Sequence, residues 1–237
     1  MADIIFTDTS EVCESFTPKP ASNYIPDWYK NMESYVNNQK KPTGDGTTSA
    51  TIKRCMPVFD SLTQGYIITT YTDIYVSKKE IIDENGKTDL VPWYEWASNS
   101  AIDFHPVEQA PTYPNNNGFP YPKLVNPWSI KTPKGYSTLF IAPVHRSNEF
   151  TILPGVVDTD TYLSPVNFPM ILTNSNFEGI IPAGTPIAQV IPFKRDKWKM
   201  QIGGELQIKE TEKLNNSLKT KFFDAYKTLF RQEKEYK

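Results

Sequence analysis

Gly179-Ile-Ile-Pro-Ala-Gly-Thr-Pro-Ile-Ala-Gln-Val-Ile-Pro-Phe-Lys-Arg-Asp-Lys-Trp198 is the stretch whose reading decides the fold. A short apolar strand, Gly179 to Ile181, runs into a turn on Pro182, Ala183 and Gly184. Proline presets φ for such a turn and glycine tolerates positive φ. The chain then re-enters a strand, Ile187 to Phe193. Period-two alternation sets Ile187, Gln189, Ile191 and Phe193 on one face and Ala188 and Val190 on the other. Pro192 removes a ladder donor, so the strand lies at a sheet edge or ends there. Gln189 is an amide among aliphatic residues. If buried it must be hydrogen-bonded, either as a structural tie or as a ligand contact.

Working outward, short alternating runs recur between turns. Tyr66 to Val76 is β-branched and aromatic, the strongest strand signal in the chain. Glu84-Asn85-Gly86 suits a hairpin between Glu80-Ile82 and Thr88-Val91. Trp128 to Lys131 and Tyr136 to Ala142 flank Pro133-Lys-Gly135, and Phe150 to Leu153 and Phe168 to Thr173 are further strands. Ile52, Arg54 and Met56 alternate with Lys53 and Cys55, with a turn expected over Asp60 to Gly65. Phe104 to Asn126, rich in Pro and Asn, reads as a long loop. The 20 prolines and 11 glycines suit a turn-rich β chain.

Both ends differ from this pattern. Residues 1–50 read as an arm, with one strand near Asp3 to Thr7 and a short helix beginning near Asp27. At the other end Leu214, Leu218, Phe222, Tyr226 and Leu229 recur at three- and four-residue steps. That spacing predicts an amphipathic helix of about six turns, Lys209 to Lys234. The expected organisation is an arm (1–50), a β domain (51–204) and a C-terminal helix (205–237), in a mainly β chain.

Composition narrows the function. A net charge of -2 gives no global pull toward nucleic acid or an anionic membrane. No apolar run approaches the roughly 20 residues of a membrane span. The opening residues lack the basic and long apolar parts of a signal peptide. Cys13 and Cys55 form no metal or redox motif. His105 and His145 lack the spacing of a two-histidine, one-carboxylate metal site, so no metal site is assigned. Lys194, Arg195, Lys197 and Lys199 around Trp198 read as a solvated strand exit, with nucleic-acid contact as the alternative. Asp158 and Asp160 place two carboxylates in one turn, fit either for a cation and water activation or for bonding their own backbone. Arg146 and Ser147 at a strand end suit an anion or an interface.

Three of these turns occur in a telling order: Pro143-Val-His-Arg-Ser147, Gly155-Val-Val-Asp-Thr-Asp-Thr-Tyr162 and Gly184-Thr-Pro-Ile-Ala-Gln189. Their order resembles that of the trimeric dUTPase and dCTP deaminase superfamily, the β-clip fold. The match covers about a quarter of the chain. The region from Gly135 to Arg195 is also similar to a family of uncharacterised tailed-phage proteins.

The resemblance implies a homotrimer with sites between subunits. It makes Arg146, Ser147, Asp158, Asp160 and Gln189 the ligand-binding candidates. If the chain is an enzyme, Asp158 would activate water, Tyr162 would stack under a sugar, and Mg²⁺ would be needed. Several family features are altered. Tyr162 follows Asp158 by four residues rather than three, and Pro186 replaces a basic residue. A charged helix replaces the glycine-rich closing arm. Asp103 and Glu149 are only loose matches to the family's other carboxylates. The expectation is therefore a phage-encoded non-enzymatic protein, a virion component or binding module, with no cofactor, found in the virion or host cytoplasm. A nucleotide-handling enzyme with an altered site is the alternative.

Overall fold

The computed structural model describes residues 2–10, 14–43, 48–82, 86, 88–96, 101–109, 121–219 and 223–237. The chain divides into two compact units, Met1–Tyr24 with Gly65–Arg195, and Ile25–Gln64 with Asp196–Lys237.

The first unit is β. Its five-stranded sheet has the order β11 (Gly155–Val157), β9 (Tyr136–Ile141), β14 (Pro186–Lys194), β3 (Tyr66–Thr69), β2 (Lys19–Pro20). A four-stranded sheet runs β10 (Phe150–Ile152), β12 (Phe168–Leu172), β7 (Tyr121–Leu124), β6 (Ile102–His105). A three-stranded sheet runs β13 (Gly179–Ile181), β4 (Ile74–Ile82), β5 (Thr88–Trp96), and β1 (Ile5–Asp8) pairs with β8 (Trp128–Lys131). Each of these pairings is antiparallel. One core of Ile68, Ile74, Phe140, Phe168, Met170, Val190 and their neighbours fills the unit.

The deciding stretch forms as read, with one correction. β14 is not an edge: β3 flanks it through Val190↔Tyr66, and β9 through Lys194↔Tyr136. Ile187, Ala188, Gln189 and Val190 are therefore buried whichever way they point. Pro192 pairs with Thr138 on β9, beyond the last β3 partner, so its missing donor leaves no central ladder bond unmade. The preceding turn is clamped to residues 70–73. Thr70 Oγ1 donates to Pro182 O at 2.7 Å, Gly184 N to Thr70 O at 2.8 Å, and Ala183 N to Asp73 Oδ1 at 2.7 Å. That clamp is also why the Tyr66–Val76 run breaks into β3 and β4. Gly184 adopts φ +83°, as its turn requires.

The expected hairpin pairs Ile82 with Thr88; Asp83–Asn85 and Lys87 lie outside the described residues. The expected loop over Phe104–Asn126 holds the end of β6, a 3-10 turn at Val107–Gln109 and strand β7, with 110–120 outside the described residues. Pro122 hid β7 from a period-two reading. β7 tolerates it between Lys123↔Asp103 and Tyr121↔His105.

The second unit is helical. The alternation over Ile52–Met56 belongs to no strand. It is a 3-10 turn, Ile52–Arg54, followed by helix α2 (Met56–Thr63), preceded in the chain by α1 (Asp27–Asn31). Pro57 in the first turn favours the helix, because its missing N–H is unpaired there anyway. Tyr29 stacks on Phe59 at 6.4 Å and donates to Lys53 O at 3.0 Å. Lys53 Nζ in turn caps the end of α1 through Lys30 O and Met32 O at 2.6 and 2.8 Å. Asp60 is buried and receives Arg231 at 2.7 Å and Lys234 at 3.0 Å. Those bonds hold its carboxyl below its usual range, Arg231 contributing most.

The expected six-turn helix is two helices, α3 (Glu205–Lys219) and α4 (Ala225–Leu229). Asp224 interrupts them with φ +58°, a left-handed conformation anchored by its ion pair with Arg54. Leu214, Tyr226 and Leu229 are exposed and Leu218 is half-buried; Phe222 lies outside the described residues. The apolar stripe is thus exposed at Leu214, Tyr226 and Leu229.

Candidate functional site

Strand register builds the main polar cluster. Val157 lies opposite Thr138 on β9, so Asp158 follows beside Ser137; Lys194 lies opposite Tyr136, so Arg195 follows beside Gly135. Arg195 N donates to Gly135 O at 2.8 Å and fixes that end. Thr159 turns inward, its hydroxyl 2.8 Å from those of both Thr132 and Thr138. Asp158 and Asp160 flank it and converge on one guanidinium. Arg195 Nη1 lies 3.0 Å from Asp158 Oδ1 and 2.9 Å from Asp160 Oδ1, and Nη2 lies 2.5 Å from Asp160 Oδ2. Ser137 Oγ donates to Asp158 Oδ1 at 2.6 Å, and Gly135 N to Asp160 Oδ2 at 2.8 Å.

These contacts set the electrostatics. Asp160, 3% exposed at its side chain, is held down to about 2, first by Arg195 and then by the Gly135 amide. Asp158 is also lowered, chiefly by Ser137 and then by Arg195. Asp158 O accepts from Thr161 N and Tyr162 N at 3.0 and 2.9 Å, one tight turn that sets Tyr162 four residues on. Tyr162 stays half in water, 51% exposed.

The other candidates sit elsewhere. The Pro143–Asn148 turn leaves β9 at its far end, next to Gln189, which lies opposite Ile141. Gln189 is 1% exposed and accepts from Val144 N at 3.2 Å, which makes it a structural tie within the chain. Arg146 donates to the Tyr24 carbonyl. Ser147 is exposed, and His145 adopts φ +56°. The five steps of β9 between its ends span about 17 Å at roughly 3.3 Å per residue. One chain therefore gathers Arg146, Ser147 and Gln189 at one end of β9, and Asp158 and Asp160 at the other.

No protein-family model matches the sequence, and no curated protein matches it significantly. Residue geometry alone then carries the chemistry. The carboxylate pair does not fit Mg²⁺ well, because both carboxylates already face a cation. Among the described residues no group of three His, Cys, Asp or Glu side chains could hold a metal ion. His105 Nδ1 lies 2.6 Å from Gln109 Oε1, and Asp103 pairs with Lys123 at 2.8 Å. Glu149 is exposed, its carbonyl accepting from Thr173 N.

Arg195 is the residue that sequence reasoning missed. It stands 35 positions from Asp160 and reads as one of several basic residues at a strand exit. Only the joint register of β9, β11 and β14 brings the two together.

The cluster predicts an acid response. A carboxyl depressed in the folded state stabilises above its unfolded value near 3.9, and that contribution disappears as pH falls through the folded value. Asp160→Asn should therefore lower the urea midpoint at pH 7, and the deficit should close between about pH 4 and pH 2. Urea titrations of both proteins over that range check it; a deficit constant with pH would refute the ion pair.

Proposed function

We propose that this chain is a non-enzymatic β-clip protein of the dUTPase-like kind, encoded by a phage and acting as a virion component or binding module. The observation that carries this reading is the engagement of Asp158. The residue matching the family's water-activating aspartate shares Arg195 with Asp160 and accepts from Ser137. A carboxylate so held, with its proton affinity lowered, is a weak base for water. The fold class supports the reading too. The three motif turns belong to adjacent strands β11, β9 and β14 of one antiparallel sheet.

Assembly as a homotrimer completes the proposal. The outer face of that sheet aligns Val156, Leu139 and Ile191 in one row. Val156 is 61% exposed, and Leu139 and Ile191 are half-buried. A neighbouring copy covering this row would also bring Arg146 and Ser147 of one subunit toward Asp158 and Tyr162 of another, across clefts open to a ligand.

Incubation of the full chain with dUTP and Mg²⁺ should release no pyrophosphate above background. Release abolished by Asp158→Asn would replace this reading with that of a nucleotide-handling enzyme. Native mass spectrometry should give a trimer mass, shifted to monomer by Ile191→Asp.

A further inference from the structure

The first unit holds a cavity that the Asp158 cluster does not use. An open groove of 820 Å³ lies between the β4–β5 hairpin and strands β6, β7 and β12. Ligand sites of this size, about 300–1,000 Å³, are mostly apolar with a few polar groups. Buried Tyr94, Tyr121 and Met170 form its deeper walls. Leu90, Trp93 and Phe104 line it while standing 56%, 37% and 40% in water. The Tyr94 and Phe104 rings lie 6.3 Å apart, tilted by 53°, so the apolar wall is largely aromatic.

The charge of the groove is one-sided. Among the described residues its walls carry one charged side chain, Lys78, and no carboxylate. Lys78 Nζ donates to Asn176 Oδ1 at 2.8 Å, a neutral acceptor that takes one of the three ammonium donors. The same bond commits the Asn176 oxygen to Lys78 and leaves its Nδ2 as a donor. Exposed Ser175, the neighbouring wall residue, adds a hydroxyl. Glu80, the next residue on the Lys78 side of β4, lies outside the walls and makes no ion pair with Lys78. Strand register places these donors beside the rings. Lys78 lies opposite Pro92 and Val76 opposite Tyr94, so Tyr94 stands two positions along β5 from the lysine. That is about 7 Å of strand, the length of one or two fused rings.

We propose that this groove binds a small aromatic monocarboxylate, its rings against Tyr94 and Phe104 and its carboxylate on Lys78. Flat rings suit walls that offer both faces and edges of aromatic side chains. A charge-assisted bond from the ammonium, with Ser175 and Asn176 as further donors, fixes the acid group. The groove is built from β4–β7 and β12, and it shares no residue with the Asp158 cluster or the Ile191 row. Its failure would therefore leave the function proposed above untouched.

Calorimetric titration of the full chain with 2-naphthoate near pH 7 tests the proposal, with uncharged 2-naphthamide as the matched probe. The acid should bind saturably at one site per chain. The amide should bind about tenfold more weakly or worse, the worth of a hydrogen bond to a charged group. Lys78→Met should abolish that preference while leaving the affinity for the amide, and Lys78→Arg should keep it. Leu90→Glu, which places a like charge at an exposed wall position, should weaken the acid more than the amide. Melting curves check that each variant folds, and the comparison of acid with amide needs no variant. No saturable binding of 2-naphthoate at millimolar concentration overturns the proposal. Equal affinity for acid and amide, or a preference that survives Lys78→Met, overturns it too.

Discussion

Gly65→Ala should lower the stability of the β unit by about 2–5 kcal/mol, the sum of a left-handed backbone penalty and a steric clash. Gly65 adopts φ +74°, a conformation that costs an L-residue about 1–2 kcal/mol. Worse, a Cβ there would stand 2.0 Å from Val190 O and 3.3 Å from Ile191 Cα, both backbone atoms of central strand β14. Backbone in the middle of a sheet cannot swing aside as a side-chain end does. The chain would have to move β3 away from β14, or strain Gly65 O, which accepts from Ala21 N at 2.9 Å. Gly86 supplies the control. It has φ +77° but nothing within 4 Å of a new Cβ, so Gly86→Ala should cost only about 1–2 kcal/mol. Urea denaturation of the two variants separates the terms; equal losses would mean that the close approach to β14 is absent.

Asn126→Leu should cost a further large amount, about 3–5 kcal/mol, by stranding buried polar groups at roughly 1–3 kcal/mol each. Asn126 is 2% exposed and ties three backbone groups together. Its Nδ2 donates to Trp128 O at 3.0 Å and Val166 O at 3.2 Å, while Trp128 N donates to its Oδ1 at 3.0 Å. Leucine nearly matches the volume and satisfies none of them. Asn126→Asp keeps an acceptor for Trp128 N but loses both donors and buries a charge, so it should also be strongly destabilising. Thermal and urea unfolding of both variants decide the matter. A leucine variant within about 1 kcal/mol of the parent would show that water satisfies the freed groups.

Much of the β unit was legible in the sequence because its signals are local. Strand–turn alternation over 128–193 depends on neighbours two residues apart and on Pro and Gly at turns, and the strands there fall within a residue or two of expectation, except β11 (Gly155–Val157), which read as part of a turn. The stretch Gly179–Trp198 set its own strands and its Gly184 turn. It also marked Gln189 as an amide in need of a partner. The Asn85-Gly86 signal located a hairpin whose two arms pair through nine positions, from Ile74↔Trp96 to Ile82↔Thr88.

What failed was non-local. Pro192 could not reveal that β14 is flanked on both sides, because its neighbours come from residues 66–69 and 136–141. The five-residue alternation at Ile52–Met56 was too short to outweigh Pro57 and the distant partners of Asp60. The C-terminal period continued through Asp224, yet the ion pair with Arg54, 170 positions away, turns the chain there. The candidate site divides along the same line. The sequence supplied Asp158, Asp160, Arg146 and Ser147 as chemistry at strand ends. Only tertiary pairing decided that the aspartates meet Arg195, and that Arg146 and Ser147 lie at the opposite end of β9. Period and turn chemistry are properties of a few consecutive residues. Which charge meets which is set by the register of three strands distant in sequence, which a single chain read in order does not contain.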